Sequence, residues 1–324
     1  MEAFSRQFRH DPRVPNFPKD SSNPASFDVL ESTPQWSLAN RRVSLGGLID
    51  WVNDRGIETA DATIPNLKML HIDMDANRQQ PLVSEPLLDA IFCGFRIGSC
   101  AKNLAVWRER EVGFYQYPGR GTNGIWTFSL LVYEAAMTWS YSATSYSTRA
   151  VFYGPRGYWA NLRKDFLLYS DLSGHPLFPG FVWAAGCVAQ TLRSLPVQNR
   201  LMRQIERATG YTPRGSDYIV SMGDKPRISL GDVSKDVANA SNRNAAKWAR
   251  INTLKPILEL LLTDPSHPLC TQTAVWQEAE GIAQCLLNLI KVKEQVKVLM
   301  ETRVQNQMTI VSKAAGNETE QPRA

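Results

Sequence analysis

Residues Ile125–Tyr133 read IWTFSLLVY. Aromatic and β-branched side chains fill the run, and a glycine precedes it, which is how a strand is written. Similar runs stand on both sides: VGFYQY from Val112, YSTRAVFYG from Tyr146 and GYWANL from Gly157. Gly, Pro and Asn separate them, as tight connections require. The block from Val112 to Phe166 is therefore predicted to be an antiparallel sheet, GYWANL included.

Upstream of this block, NLKMLHIDMD (Asn66–Asp75) alternates as a strand does. SLGGLIDWVNDRG (Ser44–Gly56) predicts a short helix, with Ser44 as N-cap, a stripe of Leu48, Ile49 and Val52, and Gly56 as C-cap. SEPLLDAIFCGF predicts a second helix capped by Ser84. Residues 1 to 26, rich in Pro, Asn, Ser and charge, read as a flexible arm. Downstream of Asp171 the texture is helical. One helix stops near Gly210. A second covers VSKDVANASNRNAAKWARINTLKPILELLLTD, and Pro256 is expected to kink or break it. DPSHP (Asp264–Pro268) reads as a turn, and a last helix runs from about Thr271 to about Ala315. The fold class expected is α+β: a mostly antiparallel sheet flanked by helices (residues 27–170), then a helical bundle ending in a long stalk-like helix (171–315), then a disordered tail (316–324).

That last helix carries a seam. Leu289, Val292, Val296 and Leu299 follow the 3-4 spacing of a coiled coil. The seam then meets Arg303 and Asn306 and recovers at Ile310. It reads as an association surface, within one chain or between chains.

The 324 residues are 43% hydrophobic and 21% charged, enough to build cores. The net charge of +5 is spread along the chain, so nucleic-acid binding is not expected. Five scattered cysteines without a CxxC pair fit a reducing compartment. No stretch approaches the roughly 18 apolar residues of a membrane span, and LKPILELLL is far too short. No apolar leader is visible at the N-terminus. A cytoplasmic location is expected.

Candidate chemistry is sparse. HIDMD puts His71, Asp73 and Asp75 on one face of a strand by the period of two, which makes them weak candidates for a divalent ion. GRGTNG (Gly119–Gly124) matches G-x-G-x-x-G, but a strand follows it where a dinucleotide fingerprint needs a helix, so a hairpin turn is the better reading. Neither H-E-x-x-H nor G-x-S-x-G occurs, and His175 and His267 each precede a proline in a turn. An enzyme is not expected.

PLLDAIFCGFRIG, followed at a distance by TWSYSATSYSTRAVFYGPRGYWANL, resembles the cytoplasmic domain of fungal CorA-like proteins. HPLFPGFVWAAGCVAQTLRSLPVQNRLMRQIERATGY resembles it most, through His175, Pro176, Arg200, Arg203, Glu206, Thr209 and Gly210. Arg303, Gln305 and Asn306 lie where the family's stalk helix nears the membrane. The resemblance spans about Phe27 to Ala315, and it alone brings Mg2+ into view as a ligand. The family's Gly-Met-Asn signature and its spans are missing, and conduction needs a pore. The resemblance therefore implies a stalk helix without a membrane anchor, in a non-catalytic association or regulatory module. The partner expected is a second copy or a related CorA-like protein, held through the C-terminal helix. The alternatives are an accessory subunit of a CorA-like divalent-cation transporter, or an accessory factor of a fungal pathway.

Overall fold

The computed structural model describes residues 23–33, 37–54, 66–75, 80–98, 113–118, 124–132, 135–209, 230–262 and 274–320, with Phe17 and Ala101 besides. Its chain groups into two compact units. The first is formed by residues 1–186 and 252–284, the second by 187–251 and 285–324.

A sheet of seven strands organises the first unit: β1 (Ser26–Ser32), β2 (Leu38–Ser44), β3 (Asn66–Ile72), β6 (Gly113–Pro118), β7 (Ile125–Val132), β8 (Ala135–Ser142) and β9 (Ser147–Tyr153). Their order is β2-β1-β3-β9-β8-β7-β6. Every neighbouring pair is antiparallel except β3 and β9, where Leu70 lies beside Val151. A separate two-stranded ribbon joins β4 (Met74–Asp75) to β5 (Gln80–Pro81). The sheet is thus mostly antiparallel, and the architecture is α+β.

Both faces of the sheet are covered, and the side-chain period of two sorts each strand between them. On one face, Leu70 and Ile72 of β3 and Val151 and Tyr153 of β9 pack with α1 (Leu45–Asn53) and α2 (Glu85–Gly94). These helices contribute Leu48, Trp51 and Val52, and Leu88, Ile91 and Phe92. On the other face, Phe152 meets Trp159 of α3 (Arg156–Leu168) and Trp183 at the start of α4 (Phe178–Thr209). The Trp139 indole donates to Pro176 O at 2.9 Å. Gly180 in α4 lies so close to this ring that an added Cβ would stand 2.8 Å from Trp139 Cη2.

Three local expectations need correction. GYWANL is not a strand: it opens α3. Pro155 precedes the first turn, and Trp159, Leu162 and Phe166 return at 3-4 spacing to fill one buried face. Of the kink or break expected at Pro256, the break does not occur, since α5 runs from Leu230 to Leu261 with the proline inside it. Buried Leu254, Ile257 and Leu258 around it supply packing that offsets the lost backbone bond. The strand read through Asn66–Asp75 is interrupted at Asp73, whose carboxylate accepts from the Met74 amide at 3.1 Å.

At the helix ends, Ser44 caps α1 as expected, accepting from Gly47 N at 3.3 Å, but the helix ends at Asn53 with Asp54 as its C-cap. Ser84 stands at the N-cap of α2 without a capping bond. It exchanges hydrogen bonds with Asn23 instead, at 2.7 and 3.1 Å. The segment GRGTNG joins two antiparallel strands, β6 and β7, so the connection is a hairpin. Gly124 at its end takes φ +97°, a value L side chains disfavour. Gly56, DPSHP with His267, and residues 119–123 lie outside the described residues.

The second unit is helical. Met202 and Ile205 of α4, Val237 and Ala240 of α5, and Met300, Val304 and Val311 of α6 (Ala274–Glu320) form its core. The last helix reaches Glu320, beyond the end expected at Ala315 and into the residues read as a disordered tail. At 1.5 Å per residue its contour is about 70 Å. Among the described residues, no helix is long and apolar enough to cross a membrane.

Candidate functional site: a hydroxyl-lined cavity and a two-faced helix

The residues nominated by sequence fall in different settings. His71 is buried, with Nε2 2.8 Å from Gly154 O, and its ring lies flat on Trp159 at 5.2 Å. Burial holds its pKa below the ordinary value. Asp73 pairs with Arg156 at 3.0 Å. The side chain of Asp75 lies outside what is described. Among the described residues, no group of three or more His, Cys, Asp or Glu is placed to hold a metal ion. His175 is buried, and its Nδ1 accepts from Leu177 N at 3.0 Å. Burial pushes its pKa down to about 3.

The seam residues divide between two environments. Val292 and Leu299 are 56% and 57% exposed, while Leu289 and Val296 are half-buried, Val296 against the core of the second unit. The fully buried positions lie one residue further on: Ile290 beside Leu289, and Met300 beside Leu299. One residue is about 100° of helical rotation. Two adjacent heptad stripes therefore share this helix. The inner stripe continues through Val304, Gln307 and Val311. The outer one continues through Arg303, whose guanidinium makes a bidentate bond to Glu206 at 2.7 and 2.8 Å and reaches Asn199 at 3.3 Å. Both partners of that ion pair are largely buried. It joins two residues that the family resemblance singled out 97 positions apart.

A cavity of about 320 Å³ opens on the first unit's sheet, where α1 and α2 both end. No local sequence pattern announces it. Its floor is the sheet face bearing Ser140, Ser142, Ser147 and Arg149. Thr127, Ser129 and Thr138 extend this hydroxyl surface as buried residues of β7 and β8. Ser140 donates to Phe95 O at 2.5 Å. Ser142 pairs with Thr144 at 3.0 Å, and Ser145 with Ser147 at 2.8 Å. Arg149 donates from Nη1 to the backbone and side-chain oxygens of Asn66, at 3.0 and 3.1 Å. Beside it in the register, Lys68 is buried and donates to Trp51 O, Asp54 O and the Asp54 carboxylate. Burial lowers the Lys68 pKa, the Asp54 bond opposes this, and the Arg149 charge lowers it further.

Arg96 completes the rim. It occupies φ +54° just past the end of α2. Its own N–H bonds Cys93 O and that of Ile97 bonds Phe92 O, the paired bonds of a Schellman ending, where glycine is usual. An arginine there costs about 1–2 kcal/mol. The other described non-glycine residue with left-handed φ is Tyr146, which sits between the lining residues Ser145 and Ser147. Both backbone outliers thus border the same cavity.

The fold and these surfaces define an α+β protein with a mostly antiparallel sheet and a helical unit closed by a long final helix. No family model matches the chain, and no curated protein matches it. Among solved structures it is similar to the full-length CmaX protein, with a TM-score of 0.52 and 12% sequence identity, over 92% of this chain and 80% of that one. The likeness is one of fold.

Proposed function

We propose that the chain is a non-catalytic CorA-like module that works in the cytoplasm by association, with a second copy of itself as partner and α6 as the contact. The observation that carries this reading is the outer stripe of α6. Cys285, Val292 and Leu299 recur every seven residues on one line of the helix, and all three are exposed. The inner face is already filled by the second unit's own core. A seven-residue repeat on one helix is self-complementary across a two-fold axis, which favours another copy as occupant. The fold likeness over most of both chains supports the family reading at the level of architecture. Fungal origin and a regulatory role on a transporter are finer readings that rest on the sequence resemblance alone.

Val292 and Leu299 are already partly covered, so burying the rest contributes roughly 1–1.5 kcal/mol each. Against that stand the entropic costs of association. The dimer is therefore weak and forms only at high protein concentration. Sedimentation velocity over a wide concentration range is the test. The mean mass should rise with concentration, and Val292→Asp with Leu299→Asp should hold it at the monomer without lowering the melting temperature. A mass that stays monomeric throughout in the unaltered chain would refute association.

A further inference from the structure

We infer that the cavity between the ends of α1 and α2 is a binding site for a phosphoryl group, carried by a small molecule or a lipid headgroup. The charge balance favours an anion. Arg96 and Arg149 line the cavity, and its one acidic lining residue, Asp54, is held by Lys68 at 3.1 Å. The hydroxyls supply donors. In each of the pairs Ser142–Thr144 and Ser145–Ser147 one hydroxyl donates to the other, so the pair retains one proton not committed to that bond. Ser140 is different, since its proton is spent on Phe95 O.

Two helices end at this site, and exposed C-terminal carbonyls repel anions. Several of them are occupied here. Lys68 takes Trp51 O and Asp54 O, Ser140 takes Phe95 O, and the amides of Arg96 and Ile97 take Cys93 O and Phe92 O. Beside the Lys68-bound Asp54, the charged and hydroxyl groups that line the cavity are the two guanidiniums and the serines. Arg96 provides the second, independent sign. An exposed arginine holds a backbone conformation suited to glycine, at the rim of a basic, hydroxyl-lined cavity. Strain at such a place points to a task for the side chain. Guanidinium groups with several hydroxyl donors match the oxygens of a phosphoryl group.

Arg96→Gly separates binding from folding, because glycine is the residue that the Schellman position prefers. Titrate the full chain with pyrophosphate by calorimetry at fixed ionic strength. In parallel, float it with phosphatidylcholine vesicles with and without phosphatidylinositol bisphosphate. The unaltered chain should bind saturably in one arm, and Arg96→Gly should bind roughly tenfold or more weakly, the loss of one charge-assisted contact, while melting no lower. Calorimetric binding without flotation identifies a free phosphoryl compound, and specific flotation identifies a headgroup. Absence of saturable binding in both arms would overturn the site. So would an Arg96→Gly chain that binds as the unaltered one does.

Discussion

His175 accepts a backbone hydrogen bond on Nδ1 from Leu177, so protonating that nitrogen sets two N–H groups against each other in a buried site. Its pKa lies near 3 in the folded chain, against 6.5 for an unperturbed histidine. Between those values the unfolded chain binds the proton and the folded chain does not, so stability is present above pH 6.5 and falls as pH drops toward 3. Each pH unit in that window removes up to about 1.4 kcal/mol. His71, also lowered by burial, acts in the same direction. Urea unfolding at stepped pH should show this acid limb, and His175→Asn, which keeps an acceptor for Leu177 N, should flatten it. An unchanged slope would assign the limb to other groups. The Arg303–Glu206 pair gives a second residue-scale expectation. Glu206→Gln leaves a largely buried guanidinium without its counter-charge, and should cost about 3–5 kcal/mol in urea unfolding. A loss under 1 kcal/mol would mean that solvent reaches the pair. Neither residue's role was legible in the chain. His175 reads as a turn residue before a proline, and Glu206 and Arg303 are too far apart in sequence for any local pattern to join them. The cavity was hidden for the same reason. Its lining comes from two helix ends and three strands, and Arg96 occupies a position that a glycine would have announced.

Elements were legible where one period dominated. β6, β7, β9, α1, α2 and the three long helices follow their apolar patterns. β2, LANRRVS, carries no legible strand pattern, because it is an edge strand with an exposed middle. Its Arg41 and Arg42 pair across the register with Glu31 and Asp28 of β1, so it is held by charge and backbone and carries little apolar alternation. GYWANL reads as a strand because aromatic content suits strands, while the 3-4 return of Trp159, Leu162 and Phe166 only shows over the whole of α3. Two glycines test the helix packing. Gly180→Ala puts a methyl group against Trp139 and Ile257, and should destabilise by about 1–3 kcal/mol. Gly281→Ala, in α6 with nothing within 4 Å of the new Cβ, should stabilise by roughly 0.5–1 kcal/mol through helix propensity alone. Thermal unfolding of both variants decides it. Equal shifts of the same sign would contradict the packing described at Trp139.

At the scale of the whole molecule, strands give way to helices between Tyr153 and Arg156, ahead of the change of texture near residue 171, and the compact units divide within α4, α5 and α6. No local signal in a continuous helix marks such a division. The 3-4 spacing in α6 was legible, but two heptad stripes one residue apart are both apolar enough to be chosen, and only packing shows that Ile290, Met300 and Val304 turn inward. The proposed association rests on the other stripe, and the chain carries its own probes of it. Cys285 is exposed on that line, Cys93 is exposed in the first unit, and Cys187 is buried. Brief alkylation of the native chain at rising protein concentration, read cysteine by cysteine by mass spectrometry, measures whether the stripe is covered. Cys285 should become protected as concentration rises, with Cys93 labelling at a constant rate as internal reference. A Cys285 rate that stays in fixed proportion to that of Cys93 at every concentration would contradict association through α6.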